Sequence, residues 1–385
     1  MQKIAMNKTV YFLGAGFSAD AGGPIQNQII QFILDDKFIE KFQSNPEVIK
    51  ARKSFIKFIE KTLSIDKKLW DNIALEDIFT PIDRALSTGK SFKNFGTNEL
   101  IKLREEFHLL MGSAIKFGVD NENNKDYINE FAKYINTIAQ KRLENGLDEI
   151  SVITTNWDIL LDNSLEDLTR RYSIINEDKL AVVDYCCYIS SLEKNDEYIK
   201  PGLLALGKGG YNIKYLKLHG SMNWLHCPNC QRMYVKFGEK TILQNKQHCR
   251  HCMVNYKFSE NESSIELRGN LLLPTFIKDL SNIQIQLIWQ NAGIELSEAS
   301  KVIFIGYSLP QADFEIRQLL SRCIPNHTEI EVVLYPFNKD IPKSQEQKEN
   351  EMLPWKTFFG KRIKNDDSFI FKTVPEYVES LKKQN

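Results

Sequence analysis

Residues 14–24 read Gly-Ala-Gly-Phe-Ser-Ala-Asp-Ala-Gly-Gly-Pro and directly follow a compact apolar run, Thr9–Leu13. An amphipathic run from Gln28 to Phe42 comes next. A strand, a glycine-rich turn and a helix in this order can hold a phosphate group, because glycines let the backbone approach an anion and a helix start offers free N–H groups. Position 19 is alanine, so a strict G-x-G-x-x-G is absent. Taken alone, the segment fits a tight strand-to-helix turn equally well.

The composition is that of an ordinary globular protein. Hydrophobic residues make up 42% and charged residues 26% of the 385 positions, which allows one large domain or two to three smaller ones. Lysine plus arginine and aspartate plus glutamate number 50 each, so the net charge gives no reason to expect direct binding of nucleic acid or of an anionic membrane. A net charge of zero suits association with itself or with a partner. Because no apolar run approaches the roughly 18 residues of a membrane span, we expect a cytoplasmic protein.

Apolar runs rich in β-branched and aromatic residues predict buried strands. The clearest of them lie at 8–13, 149–154, 214–218, 301–305 and 329–335. Helical patterns alternate with these runs, which predicts an α/β fold with a parallel sheet covered on both faces. The segment 31–148 is helical by period and too long for an ordinary crossover, so we predict a helical insertion there. Within it, the helical pattern at 70–87 is expected to break at Pro81.

The domain organisation follows from these elements. The sheet domain is predicted to comprise residues 1–30 and 149–335, and a C-terminal extension at 336–385 is predicted to end in a short strand and a helix. The charged run Lys339–Glu351 in this extension predicts a solvated loop.

Polar or glycine-rich residues follow four of the predicted strands. They are Gly14–Ser18, Thr155–Asp158, His219–Ser221 and Gly306–Ser308. Ligands of parallel α/β sheets bind beyond the carboxyl ends of the strands, so these four segments are expected to converge on one site.

Four of the seven cysteines form two C-x-x-C pairs, Cys227/Cys230 and Cys249/Cys252, with 18 residues between the pairs. This spacing is typical of one tetrahedral zinc ion bound by four thiolates. Four thiolates leave no open coordination position, so the zinc is expected to be structural, in a small module at 224–256 inserted in the sheet domain. Four free cysteines and a redox-active pair are the alternatives.

In order and spacing, these motifs resemble the sirtuin superfamily. The resemblance includes Gly14-Ala15-Gly16-x-Ser18 with Gly22-x-Pro24, Thr155-Asn156-x-Asp158, Leu218-His219-Gly220-Ser221, the four cysteines and Gly306-x-Ser308, and it spans residues 8 to 335. It implies a Rossmann-like NAD-binding domain with a helical, zinc-bearing lobe. It also implies that NAD is bound and cleaved.

Two departures separate this sequence from the protein-deacylating sirtuins. Their glycine motif continues into Asp-Phe-Arg, whereas here Pro24 is followed by Ile25-Gln26-Asn27. Their Phe-Gly-Glu stretch after the zinc module is replaced here by Pro274–Lys278. These departures, together with Glu76-Asp77 and the run 306–313, resemble the bacterial sirtuin-like proteins of anti-phage defence. That branch implies an NAD glycohydrolase that depletes NAD in abortive infection, gated by homo-oligomerisation or by a partner ATPase of the HerA type.

The resemblance assigns roles to individual residues. Asn156 is the expected catalytic residue, because its amide can grip the ribose hydroxyls and the attacking water. Asp158 is expected to orient the nicotinamide amide or the ribose, and His219 to act as the general base. The predicted NAD-binding residues are Gly14, Ala15, Gly16 and Ser18 at the diphosphate, and Gly306 and Ser308 at the adenosine side.

Simpler interpretations of the same residues remain open. An Asx turn that caps the next helix would explain Asn156 and Asp158, a helix cap would explain Ser308, and His219 could be a hydrogen-bonded structural residue. Asp313 is predicted to be a solvated acid in the first turn of a helix. An NAD-dependent protein deacylase, or a scaffold that binds NAD or ADP-ribose without turnover, are the alternative functions.

Overall fold

The computed structural model describes residues 7–121, 124–176, 178–193, 199, 202–237, 247–256, 265–338 and 341–383. The strands are β1 (Thr9–Leu13), β2 (Ile150–Thr154), β3 (Ala181–Asp184), β4 (Ile189–Ser191), β5 (Tyr211–Lys217), β6 (Gly220–His226), β7 (Met233–Val235), β8 (Arg268–Leu271), β9 (Lys301–Ile305), β10 (Glu329–Leu334), β11 (Phe337–Asn338), β12 (Ile341–Pro342) and β13 (Phe369–Phe371). The α-helices are α1 (Gln26–Leu34), α2 (Asp36–Phe42), α3 (Pro46–Lys57), α4 (Leu75–Ser87), α5 (Thr97–Asn121), α6 (Asp126–Gln140), α7 (Arg142–Asn145), α8 (Leu160–Ile175), α9 (Gly202–Gly207), α10 (Arg250–Asn255), α11 (Ile283–Glu298), α12 (Phe314–Cys323), α13 (Gln345–Phe359) and α14 (Val374–Lys382).

Seven parallel strands form the central sheet, in the order β13-β10-β9-β1-β2-β5-β3. This arrangement confirms the predicted α/β Rossmann-like class. β1 pairs in register with both β2 and β9, so that Leu13 lies between Thr154 and Ile305. The chain order reverses between β1 and β9, which is the switch point where such sheets bind ligands. Among the described residues, no helix has both the length and the apolar character needed to cross a membrane.

Both faces of the sheet are covered, and the alternation of side chains along β1 shows how. Tyr11 points to one face, where its ring lies 5.3 Å from that of Phe131 on α6. Phe12 points to the other, where Phe304 of β9 lies 5.3 Å away and itself packs on Trp355 of α13. Burial on both faces explains why the strands are continuous apolar runs.

A second hydrophobic core lies in the helical block of α1 to α5. Phe107 of α5 is at its centre, with ring contacts at 5.0 Å to Phe55 and 5.7 Å to Phe58. The following helix, α6, belongs instead to the core of the sheet. Most residues of the second core lie between Ile29 and Phe117. The boundaries of the helical insertion, 31 and 148, therefore remain a prediction.

Local structure differs from prediction at several places. α4 does not break at Pro81, because the apolar side chains Ile78, Phe79 and Ile82 are all buried and hold the helix together through packing. The part of the charged run from Gln345 onward is helix α13, not a loop. Its apolar face at positions 352, 355 and 359 packs on the sheet. The short edge strand β3 had no predicted counterpart. Residues 1–6 of the predicted sheet domain and 339–340 of the charged run lie outside the described residues.

Candidate functional site

A cavity of about 280 Å³ lies at the carboxyl ends of the strands, beside the switch point. Its floor comes from the loops after β1, β2, β5 and β9, and its roof comes from the helical block. The floor includes Ala15, Gly16, Thr155, Asn156, Trp157, Asp158, His219, Gly306, Tyr307 and Ser308. The roof includes Gln26, Ile29, Glu76 and Ile115, and Thr275, Lys278 and Asp313 form one side. The four predicted strand ends therefore do converge.

A larger, open depression of about 730 Å³ lies elsewhere, between α6 and α14. Glu130, Glu376, Glu379 and Lys382 are among its lining residues. None of the predicted site residues lines it.

The glycines at the switch point bring two loops into backbone contact. The N–H of Gly16 donates to the carbonyl of Gly306 at 2.9 Å. A Cβ on Gly14 would lie 2.5 Å from the Gly306 oxygen, and one on Gly306 would overlap the backbone of Gly16 and Phe17. Gly306 also has φ +64°, a conformation that favours glycine. Ala15, Gly16 and Gly306 face the cavity, whereas Gly14 lies at the loop contact behind its wall.

Asn156 is buried, with 7% of its surface exposed, and its orientation is fixed from two sides. Its backbone N–H donates to Thr154 Oγ1 at 3.0 Å, and its Nδ2 donates to Ser18 Oγ at 3.2 Å. The other side-chain atom, Oδ1, is buried and has no partner among the described residues. Ser18 itself is buried behind the cavity wall, where it positions Asn156 and is not one of the lining residues.

Asp158 lines the cavity and lies two residues before the start of helix α8. Its Oδ1 accepts from the N–H of Leu160 at 3.1 Å, which is the expected Asx-type contact. Burial raises the pKa of its carboxyl, opposed by the nearby Lys217 ammonium and by a hydrogen bond from Ser18. Lys217 Nζ donates to the Asp158 carbonyl at 2.6 Å and to Asp162 Oδ2 at 2.8 Å, all fully or almost fully buried. This contact fixes the backbone of the segment that carries Asn156 and Asp158.

His219 lies between β5 and β6 and faces a charged pair. Burial lowers the pKa of its imidazole to about 4; Asp313 opposes this effect and Lys278 adds to it. Its Nε2 lies 3.7 Å from Asp313 Oδ1, too far for a hydrogen bond, and has no hydrogen-bond partner among the described residues. The imidazole is therefore neutral at pH 7, with an unpaired nitrogen.

Asp313 is held inside the site and is not the solvated acid predicted from the sequence. Its Oδ1 lies 3.1 Å from Lys278 Nζ, and its Oδ2 accepts from the hydroxyl of Tyr307 at 3.0 Å. The Lys278 side chain is only 2% exposed and also lies 3.6 Å from Glu315. The sequence singled out the segment Pro274–Lys278 as a departure from the deacylating sirtuins but gave Lys278 no role, because this segment follows the zinc module in the chain and reaches the cavity only in the fold.

Glu76 and Gln26 form a hydrogen-bonded pair in the roof. Gln26 Nε2 donates to Glu76 Oε2 at 2.6 Å, and Glu76 is 8% exposed. The segment Ile25-Gln26-Asn27, which follows the glycine-rich turn, therefore delivers a side chain to the cavity. Ser308 lines the cavity at its exposed rim.

The four predicted zinc ligands are brought together by the small sheet β4-β7-β6-β8. Their sulfurs all lie within 4.8 Å of one another, and the Cys227–Cys252 and Cys230–Cys249 Sγ distances are both 3.6 Å. Sulfurs at about 2.3 Å from a tetrahedral zinc are about 3.8 Å apart, so this cluster fits a structural zinc. The small sheet is joined to the site, because β6 begins directly after His219 and Leu272 N–H donates to the His219 carbonyl at 2.9 Å.

Comparison with known proteins gives likenesses only at the level of structure. No protein-family model matches the sequence, and no curated protein matches it significantly. A complex of a Sir2 homologue with NAD is similar over 99% of this chain and 91% of that chain, with 14% identity and a TM-score of 0.44. A mutant Sir2 homologue with ADP-ribose covers 100% and 95%, with 13% identity and a TM-score of 0.42. Sir2Tm with a propionylated peptide covers 98% and 92%, with 14% identity and a TM-score of 0.39. At these values, function has to be inferred from this chain's own residues.

Proposed function

We propose that this protein is an NAD glycohydrolase, which uses water to cleave the nicotinamide–ribose bond of NAD. One observation carries the proposal. Asn156 Oδ1 and His219 Nε2 are buried polar atoms without partners among the described residues, and both residues line the same cavity at the switch point. Trp157, which also lines the cavity, has an unpaired buried Nε1 as well. Buried polar atoms are nearly always paired in folded proteins, so unpaired atoms on residues that line one cavity indicate a ligand that pairs with them.

The reaction mainly requires that the site orient the ribose and the water and stabilise the positive charge that develops on the ribose. The bond between C1′ of the ribose and the ring nitrogen breaks, and both of its electrons go to nicotinamide, which leaves as a neutral molecule. The ribose passes through an oxocarbenium-like state that water attacks, and the water's proton is released. The products are ADP-ribose, nicotinamide and one proton.

Each site residue has a part in this scheme. Asn156, oriented by Ser18, grips the ribose hydroxyls or the attacking water. Neutral His219 takes the released proton on its unpaired nitrogen. Asp158 orients the nicotinamide or ribose from the next position on the floor. The backbone of Ala15, Gly16 and Gly306 gives the diphosphate a surface without large side chains.

Hydrolysis is favoured over deacylation by what occupies the roof and side of the cavity. Gln26 stands where the deacylases carry their Asp-Phe-Arg motif, and it is bonded to Glu76. The segment that replaces their Phe-Gly-Glu stretch places Lys278 against Asp313. The sequence resemblance supports a role in anti-phage defence, in which NAD is depleted, the chain forms a homo-oligomer and a HerA-type ATPase gates its activity.

The test is release of nicotinamide from NAD in the absence of any acylated peptide, with and without a candidate HerA-type ATPase. Release by the wild type and by Asn129→Ala, an exposed asparagine on α6, but not by Asn156→Ala, supports the proposal. Release that requires an acyl-lysine peptide would establish the deacylase. Binding of NAD without cleavage under every condition would establish the scaffold.

A further inference from the structure

The cavity holds a carboxylate that has no cationic partner. Glu76 is 8% exposed and lines the roof, and among the described residues no lysine, arginine or histidine lies within ion-pair distance of it. Burying a charge costs free energy unless another group compensates it, so the question is which groups stabilise the Glu76 carboxylate.

Two features of the fold keep this carboxylate in place. Glu76 is in the first turn of α4, where the helix dipole favours a negative charge. The amide of Gln26, in the first turn of α1, donates to its Oε2 at 2.6 Å. Both stabilise the anion without neutralising it, which leaves a negative charge at the cavity.

The other charges of the cavity do not compensate Glu76. Lys278 is the lysine that lines the cavity. Its Nζ already forms ion pairs with Asp313 Oδ1 at 3.1 Å and with Glu315 Oε2 at 3.6 Å. His219 is neutral, since burial lowers its pKa to about 4. The lining therefore carries an excess of carboxylates, and the missing positive charge has to come with the ligand.

We propose that Glu76 pairs with the positive charge that NAD carries at its nicotinamide–ribose bond, and that Glu76 is a further catalytic residue. This inference rests on the proposed function. In oxidised NAD the charge is on the nicotinamide ring; as the C1′–N bond breaks and its electrons go to nicotinamide, the charge moves to the ribose. A fixed carboxylate beside this bond attracts the oxidised ring and stabilises the oxocarbenium-like ribose.

Binding of two analogues that differ in the charge of the nicotinamide ring tests the inference without turnover. The probes are carbocyclic NAD, in which a methylene replaces the ribose ring oxygen so that the bond resists cleavage, and the same molecule with a reduced, neutral nicotinamide. The wild type is expected to bind the oxidised form at least about tenfold more tightly, as a charge contact in a partly buried site provides. Glu76→Gln should bind both forms equally and should cleave NAD roughly 100-fold more slowly.

Two variants serve as controls. Asp77→Asn removes the neighbouring, exposed carboxylate in the same helical turn and should keep the preference. Glu76→Asp keeps the charge and should keep part of the preference. ADP-ribose, which lacks the nicotinamide, reports whether Glu76→Gln is folded, and its affinity should not change.

The outcomes separate the two proposals. Equal binding of both analogues by the wild type, or a full preference in Glu76→Gln, overturns the role of Glu76 and leaves the glycohydrolase proposal standing. Failure of the wild type to bind ADP-ribose or either analogue overturns the proposed function itself, and the role of Glu76 with it.

Discussion

Ser18 and Asn156, 138 positions apart in the chain, meet behind the floor of the cavity, where Asn156 Nδ2 donates to Ser18 Oγ at 3.2 Å. This bond decides which atom of the amide is free, because it turns Oδ1 away from Ser18. The serine of the glycine-rich turn therefore orients the asparagine of the neighbouring strand end and does not itself line the cavity.

Ser18→Ala is expected to lower the kcat of NAD cleavage about five- to tenfold while KM changes little, because one hydrogen bond that orients Asn156 is lost. Asn156→Ala should lower kcat much further. Steady-state kinetics of nicotinamide release measure both. Ser300→Ala, at the opposite end of the sheet, is the matched control, since it also removes a serine side-chain hydrogen bond, to the Lys8 carbonyl. A Ser18→Ala enzyme with raised KM and wild-type kcat would contradict the positioning role.

His219 should make stability depend on pH in a defined window. Burial lowers its pKa from 6.5 to about 4 in the folded state, so the unfolded chain binds the proton more readily. The stabilisation by neutral His219 is then complete above pH 6.5 and is lost as the pH falls from 6.5 toward 4. Between pH 7 and 4.5 the wild type should lose about 2 kcal/mol more unfolding free energy than His219→Asn.

Urea denaturation at the two pH values measures this difference, and groups other than His219 cancel in the comparison. The same property predicts that cleavage of NAD does not decline at pH 6.5, as it would for an ordinary histidine base. The decline of the cleavage rate on the acid side of the pH profile should lie nearer pH 4. Identical pH slopes of stability for the two proteins would show that His219 is solvated.

Gly306→Ala should destabilise the fold by about 3 kcal/mol or more, because it combines a left-handed backbone with an overlap against the backbone of Phe17. Gly146→Ala isolates the first of these effects. Gly146 has φ +70° and ψ +3°, in the left-handed region, and no atom near the position of an added Cβ, so about 1 kcal/mol is expected there. Thermal and urea unfolding compare the two variants. Equal losses of stability in the two variants would mean that the loops after β1 and β9 can move apart without a cost in free energy.

Removal of the metal should disturb the site as well as the zinc module. The purified protein is expected to contain one zinc per chain, to lose it in Cys227→Ser, and to keep it in Cys323→Ser, a cysteine outside the cluster. Because Leu272, directly after β8, donates to the His219 carbonyl, loss of zinc should reduce NAD cleavage along with stability. Metal analysis and activity assays on the same samples check this. Full activity in a zinc-free protein would separate the module from the site.

The sequence predicts the inner strands of the central sheet well, and the reason is physical. Strands buried on both faces must be apolar throughout, so β1, β2 and β9 stand out from composition alone. Helix α13 was not predicted because its charged side chains outnumber the few apolar ones that pack on the sheet. At Pro81, the proline signal was opposed by packing, which is a tertiary effect.

The residues of the candidate site also fall into two groups, those whose convergence the sequence predicts and those whose convergence it does not. Asn156 and His219 follow strands, so their convergence could be inferred from topology. Gln26, Glu76 and Lys278 reach the cavity from the helical block and from a loop after the zinc module. No periodicity or spacing links these positions. Only the packing of the helical block on the sheet domain brings them to the same cavity.

Trp157 connects these two parts of the molecule. It stands between Asn156 and Asp158 in the chain, yet its side chain packs with the core of the helical block, as does Leu273. A small rotation of that block would therefore pull on the backbone of both residues, so an effector bound far from the cavity could switch turnover on or off. Trp157→Ala should uncouple such an effector from catalysis. Hydrogen exchange of amides 155–158 that is unchanged in this variant would argue against remote control by this route.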